Sequence, residues 1–221
     1  MTPLILAVDT THEFGSLALL RGEETLDEVL LHSPDGFGHV LYHHLTRLLE
    51  HNGVTAGAVD CFAAASGPGS FTGVRIGLAC VKGLADALGR PVAAVSNLEA
   101  MAAFAGAPLR APVLDARRGE VYGAVYGAGG EPLLEETVMK FPAWLETLPE
   151  GDLEFVAIDF DPFRPALAGT RFAQANVVTA PRALAAAIGR IARRRFALGQ
   201  TVDAAAVDAN YVRRSDAELL R

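Results

Sequence analysis

The chain has 221 residues, 51% hydrophobic and 20% charged, with a formal net charge of −7. This is a globular composition with ample core material, sized for one or two domains. The acidic balance argues against a chain that grips nucleic acid by itself, because a phosphate-binding groove usually carries a basic footprint.

No apolar run reaches the roughly 20 residues that span a bilayer. The opening MTPLILAVDTTHE lacks a basic n-region and meets an acid at Asp9, so it does not read as a signal peptide. Cys61 and Cys80 form no CxxC pair, and a free-thiol cytoplasmic protein is expected.

Leu4–Val8 is a short apolar run that reads as a buried strand ending at Asp9-Thr10-Thr11. Ser16–Leu20 and Thr25–Leu31 flank Arg21-Gly22, a hairpin turn, and a Gly/Pro-marked loop follows over Ser33–Gly38. Residues 39–52 carry Leu41, Leu45 and Leu48 at helical spacing, with Asn52-Gly53 as the stop. Cys61–Ala65 is a strand of small residues that runs into the loop GPGSFTG. A helix is expected from Thr72 to Leu88, ended by Gly89 and Pro91, and then a strand over Val92–Ser96.

The first hundred residues thus read βββαβαβ. A second half starts near Pro112, with strands over Val113–Asp115 and Val121–Tyr126 around the turn ARRGE, and a third over Phe155–Asp159. Pro181–Arg195 reads as a helix, with Leu184, Ile188 and Ile191 in phase. Two lobes are expected, 1–100 and 101–206, with a short helix in 207–221 packing back on the first.

The loop Gly67-Pro68-Gly69-Ser70-Phe71-Thr72-Gly73 opens a helix, as phosphate-holding loops do. The Walker pattern nevertheless fails, because Val74-Arg75 follow Gly73, and the final glycine of GxGxxG falls one residue late. Gly73 and Gly77 sit inside the expected helix, where glycine costs about 1 kcal/mol relative to alanine. Something must approach closely. Either the protein's own sheet or a partner helix would serve.

His39 and His43 have metal-sharing i, i+4 spacing, but no HExxH glutamate and no third ligand accompany them, so partner- or solvent-facing histidines are expected. Ser70 lacks the GxSxG elbow. Arg190 with Arg193–Arg195, and Arg213-Arg214, read as solvated faces or helix ends.

Three stretches, GPGSFTGVRIGLACVKGLA (67–85), VSNLEAMA (95–102) and DARRGEVYGAVY (115–126), resemble the TsaB (YeaZ) family, and ILAVDTT and NYVRR (210–214) fit its ends. The resemblance runs over most of the chain. It implies an α/β actin-like ATPase (ASKHA) fold of two βββαβαβ-type lobes, the second reduced. It also implies a non-catalytic activator and scaffold of the transferase TsaD in forming threonylcarbamoyladenosine in tRNA, acting with the ATPase TsaE. Such a chain forms a competing homodimer when alone, reaches tRNA only through the complex, and uses no cofactor, metal or catalytic residue of its own.

TsaD-like proteins carry HxxxH just after the strand matching Val92–Ser96, where this chain has Asn97 and Met101. Thioether and amide are poor substitutes for imidazole at a borderline metal. The segment AIDFDPFRPALAG (157–169) lacks the paired glycines of an adenosine loop, and its Asp159 and Asp161 read as an exposed loop.

By resemblance, two helices form the partner and dimer surface. His39, Tyr42, His43 and Thr46 come from the first, and Val74, Arg75, Gly77, Leu78, Val81 and Lys82 from the second. The entry to the first helix departs from the family, with Gly-His39-Val in place of His-Ser/Thr-Glu/Gln. The signature loop Gly67, Pro68, Gly69, Ser70, Phe71, Thr72, Gly73 then reads as an inherited phosphate-loop shape that starts a partner-packing helix. The alternatives are an ATPase or kinase of the same fold, or a metallopeptidase-like protein.

Overall fold

The computed structural model describes residues 2–212, which fall into two compact units. The first is built on β1 (Leu4–Asp9), β2 (Phe14–Arg21), β3 (Glu24–His32), α1 (Leu41–His51), β4 (Cys61–Ala65), α2 (Phe71–Leu88), β5 (Val92–Val95) and α3 (Asn97–Ala102). Its sheet runs β3-β2-β1-β4-β5, antiparallel across the first three strands and parallel from β1 to β5.

Every residue of β1 is buried, the mark of a strand covered on both faces. Leu4, Leu6 and Val8 join one core with Leu41, Leu45 and Leu48 of α1 and with Val74, Leu78 and Val81 of α2. By the two-residue strand period Ile5 and Ala7 point the other way, toward the face covered by α5 (Ala185–Ala197). α1 closes with Gly53 at φ 63 and with the Val54 N–H on the Leu49 carbonyl.

The second unit holds β6 (Leu109–Asp115), β7 (Glu120–Gly127), β8 (Pro132–Lys140), α4 (Phe141–Thr147), β9 (Leu153–Ala157) and β10 (Asn176–Thr179), ordered β10-β9-β6-β7-β8. That order repeats the first sheet strand for strand. The helix that would match α2 is cut to a 3-10 turn over Arg164–Leu167, which is the reduction expected of the second lobe. Its core is aromatic, with Phe141, Trp144, Phe155, Phe160, Phe163 and Phe172 buried together. The fold is the actin-like ATPase fold in two α/β units.

Several expectations need correction. β8, α4 and β10 were not foreseen. β8 is an edge strand broken by register shifts, while α4 and β10, at seven and four residues, are too short for periodicity to reveal. β9 lies two residues earlier than expected.

Residues 182–210 belong with the first unit, so the boundary 101–206 does not hold. The helix expected from Pro181 starts only at Ala185. Ser16 Oγ, on β2, accepts from the Leu184 and Ala185 N–H groups at 3.1 and 2.9 Å, and Glu28 Oε1, on β3, accepts from Ala186 N–H at 2.7 Å. The cap comes from strands about 160 residues away, so no local signal could place it. At the far end of α5, Arg195 bonds Glu99 of α3 at 2.5 Å and the Ala94 carbonyl. Residues 207–212 contain no helix, and residues 213–221, where the tail helix was expected, lie outside the described residues.

Candidate functional site

The glycine-rich loop is shaped around the end of β1. Ser70 caps α2, its Oγ accepting from Gly73 N–H at 3.3 Å, while its own N–H donates to the Thr11 carbonyl at 2.7 Å. Thr10 Oγ1 donates to the Gly73 carbonyl at 2.7 Å.

A methyl group on Gly69 would stand 2.6 Å from the Thr11 carbonyl oxygen, and one on Gly77 2.6 Å from Thr10 Oγ1. On Gly73 it would overlap the Thr10 carbonyl oxygen outright. Gly69, Gly73 and Gly77 therefore make room for the protein's own strand. Backbone carbonyls already lie against the helix N-terminus, where a phosphate would otherwise take the unpaired N–H groups.

Beside this contact lies a buried polar cluster of Asp9, Thr11 and Asn97. Asp9 Oδ1 accepts from Thr11 N–H at 2.9 Å and from Thr11 Oγ1–H at 2.7 Å. Asn97 Nδ2 donates to Thr11 Oγ1 at 2.8 Å, and its backbone N–H ties α3 to the Gly67 carbonyl at 2.9 Å. Asn97 Oδ1, equally buried, accepts no hydrogen bond from the described residues.

With its proton spent on Asp9, the Thr11 hydroxyl can only accept from His12 Nδ1 at 2.8 Å, which fixes a neutral His12 as the Nδ1–H tautomer. Burial holds the His12 pKa below the ordinary 6.5, against the opposing pull of the Asp9 carboxylate. The folded chain then binds fewer protons than the unfolded one below pH 6.5. Stability should therefore be fully present above pH 6.5 and fall as the pH drops below it, more steeply in the wild type than in His12→Asn. Urea unfolding from pH 8 to 5 checks this; equal slopes would contradict it.

Within the cluster the Thr11 hydroxyl is committed to Asp9, Asn97 and His12. Burial pushes the Cys61 and Cys80 thiols up to about 12 and about 11. Among the described residues no three His, Cys, Asp or Glu side chains come together as a metal site. Asn97 and Met101 both lie buried on α3, and the Asn97 amide is committed to Thr11. His39 and His43 are both exposed. In 157–169, Phe160, Phe163 and Leu167 point into the core of the second unit, while Asp159 and Asp161 are exposed, Asp161 lying 3.6 Å from Arg164.

The two helices expected at a partner surface split into an inner and an outer face. Val74, Gly77, Leu78 and Val81 are buried in the first unit's own core, which corrects their assignment to an outer surface. The apolar row faces the sheet, packing with Leu6 and Val8 of β1 and Phe62 and Ala64 of β4. His39, Tyr42, His43, Thr46 and Arg75 are exposed. Lys82 is half-buried, with Nζ on the Val207 carbonyl at 2.9 Å.

Tyr42 is 57% exposed and Phe71 44%, and the Arg75 guanidinium stacks 3.7 Å over the Phe71 ring. The Tyr42 hydroxyl meets the Cys80 thiol, which brings α1 alongside α2. Exposed aromatics beside an arginine are the composition enriched at protein–protein contacts. Sequence reasoning missed Thr10 and Thr11; their signal was the spacing of Gly69, Gly73 and Gly77, which demands a close neighbour.

The family model for TsaD, tRNA N6-adenosine threonylcarbamoyltransferase, matches residues 37–205. The chain is 35% identical over 165 residues to the tRNA threonylcarbamoyladenosine biosynthesis protein TsaB of Bacillus subtilis, covering 71% of each chain. The solved structure of YeaZ from Pseudomonas aeruginosa superposes with a TM-score of 0.80 at 30% identity, over 95% of this chain and 99% of that one. Component A of (R)-2-hydroxyglutaryl-CoA dehydratase from Acidaminococcus fermentans shares the fold alone, with a TM-score of 0.58 at 10% identity over 89% of this chain and all of that one. With this identity and this superposition, the chain belongs to the TsaB (YeaZ) family.

Proposed function

We propose that the chain serves the formation of threonylcarbamoyladenosine in tRNA as a non-catalytic scaffold. It docks on the transferase TsaD through the outer face of α1 and α2, acts with TsaE in the cytoplasm, and pairs with a second copy through the same face when alone. The observation that carries the reading is the division of labour on α2. Gly73 and Gly77 are spent on the end of β1, while Arg75 stacked over Phe71 on α2, and Tyr42 on α1, stay exposed.

Family membership and the biosynthetic name of the B. subtilis relative support the pathway. The carbonyls of Thr10 and Thr11 at the α2 N-terminus favour docking over phosphate binding. The contact residues are His39, Tyr42, His43, Thr46 and Arg75, with Lys82 at the margin, and tRNA is gripped by the partner, in keeping with the net charge of −7.

Deletion of the gene is expected to abolish the modified base in bulk tRNA, with the wild-type gene restoring it. Unchanged modification after deletion would refute the reading, and tight binding of ATP with Mg²⁺ by the isolated chain would favour an ATPase.

A further inference from the structure

Residues 202–210 form a strap along α2. At one end Val202 and Val92 exchange backbone hydrogen bonds of 2.8 and 3.0 Å, just past the C-terminal end of the helix. In the middle, a 3-10 turn over Ala204–Ala206 buries Ala204 and Val207 in the same core as α2, while Asp203, Ala205, Ala206 and Asp208 stay exposed. At the other end the Asn210 N–H donates to the Ser66 carbonyl at 2.8 Å, beside the glycine-rich loop that starts the helix. The strap thus runs antiparallel to α2 over its length. Lys82 clips it at mid-span, Nζ to the Val207 carbonyl at 2.9 Å.

The anchorage differs in kind from that of a sheet strand. An isolated bridge, the Lys82 clip, the Asn210 hydrogen bond and the packing of Ala204, Val207 and Ala209 hold it, in place of a strand ladder. Elements held outside a ladder open locally, at less cost than global unfolding. Lys82 lies seven residues from Arg75, on the same outward stripe of the helix.

We propose that residues 202–210 open and close on α2 as a unit, and that Lys82 couples this motion to docking. Closed, the strap occupies the ammonium with the Val207 carbonyl. Open, it releases the ammonium to the Arg75 stripe, where it meets carboxylates on the docked transferase. The coupling rests on the docking reading above; the opening does not.

Hydrogen exchange on the full chain tests both. Alone, the Val202 and Asn210 amides should exchange at a common rate, at least about tenfold faster than the β4 amides. Lys82→Met should speed both by about tenfold while leaving β4 unchanged, and Lys82→Arg, which keeps the donor, should restore the slower rate. If Lys82→Met does not fold, Val207→Ser, which weakens the buried anchor, is expected to act alike. Exchange of Val202 and Asn210 only together with β4, or a clip variant that moves neither, would overturn the strap.

With TsaD added to saturation, the same two amides should lose protection. A complex that leaves them as protected as before would overturn the coupling. Absence of any complex would overturn the docking reading and the coupling with it, while exchange in the isolated chain still decides the strap.

Discussion

Gly73→Ala is expected to destabilise the chain by about 3 kcal/mol, the upper end for overpacking a close contact. The added methyl would overlap the Thr10 carbonyl oxygen and lie 3.1 Å from the Thr10 carbonyl carbon and 3.3 Å from Thr11 Cα. All three are backbone atoms, so no flexible side chain can swing aside. Either α2 shifts off the end of β1, or β1 yields and loosens the Asp9–Thr11–Asn97 cluster.

Gly83 is the matched control, being on the same helix with nothing within 4 Å of the added methyl. Gly83→Ala should stabilise by roughly 0.5–1 kcal/mol through helix propensity and a less flexible unfolded chain. Urea unfolding of both variants settles the contrast. A Gly73→Ala variant as stable as Gly83→Ala would mean that the strand does not seat against α2.

The second large effect is on association. Arg75→Glu combined with Tyr42→Asp should weaken binding to TsaD by about 100-fold or more, near 2.7 kcal/mol, as loss of an aromatic–arginine hot spot does. Both side chains are exposed, so the unfolding midpoint should hardly move. Leu78→Ala should do the reverse, costing about 2–5 kcal/mol of stability because Leu78 is core, with any loss of binding following from unfolding. Calorimetric titration with unfolding curves on the same samples separates the two. A double variant that binds as tightly as the wild type would remove the outer face from the account.

The first unit was largely legible in the sequence because its signals are local. Leu4–Val8, the turn at Arg21-Gly22, the leucine period of α1 and the glycine stops at Gly53 and Gly89 each act within a few residues of the element they define. The second unit was legible in part: β6, β7 and β9 are where strands were expected, but β8 and β10 are edge strands and α4 is too short to show a period. The start of α5 depends on Ser16 and Glu28, residues of the first sheet that no window around Pro181 contains.

The candidate site was half legible. The sequence could reveal that Gly73 and Gly77 require a close neighbour, but whether strand or partner helix approached them was a tertiary matter. Thr10 answers it, and Val74, Leu78 and Val81 turn inward with it. Lys82 looked like part of the polar stripe because nothing links it in sequence to Val207, 125 residues on.

The most direct test of the docking account is the mass of the purified full chain by light scattering, alone and mixed with TsaD from the same source. Docking through the outer face predicts a homodimer alone, converted to a one-to-one mixed complex by TsaD, with the Arg75→Glu/Tyr42→Asp variant remaining a monomer in both. A chain whose mass is unchanged by TsaD, or a double variant that associates like the wild type, would contradict it.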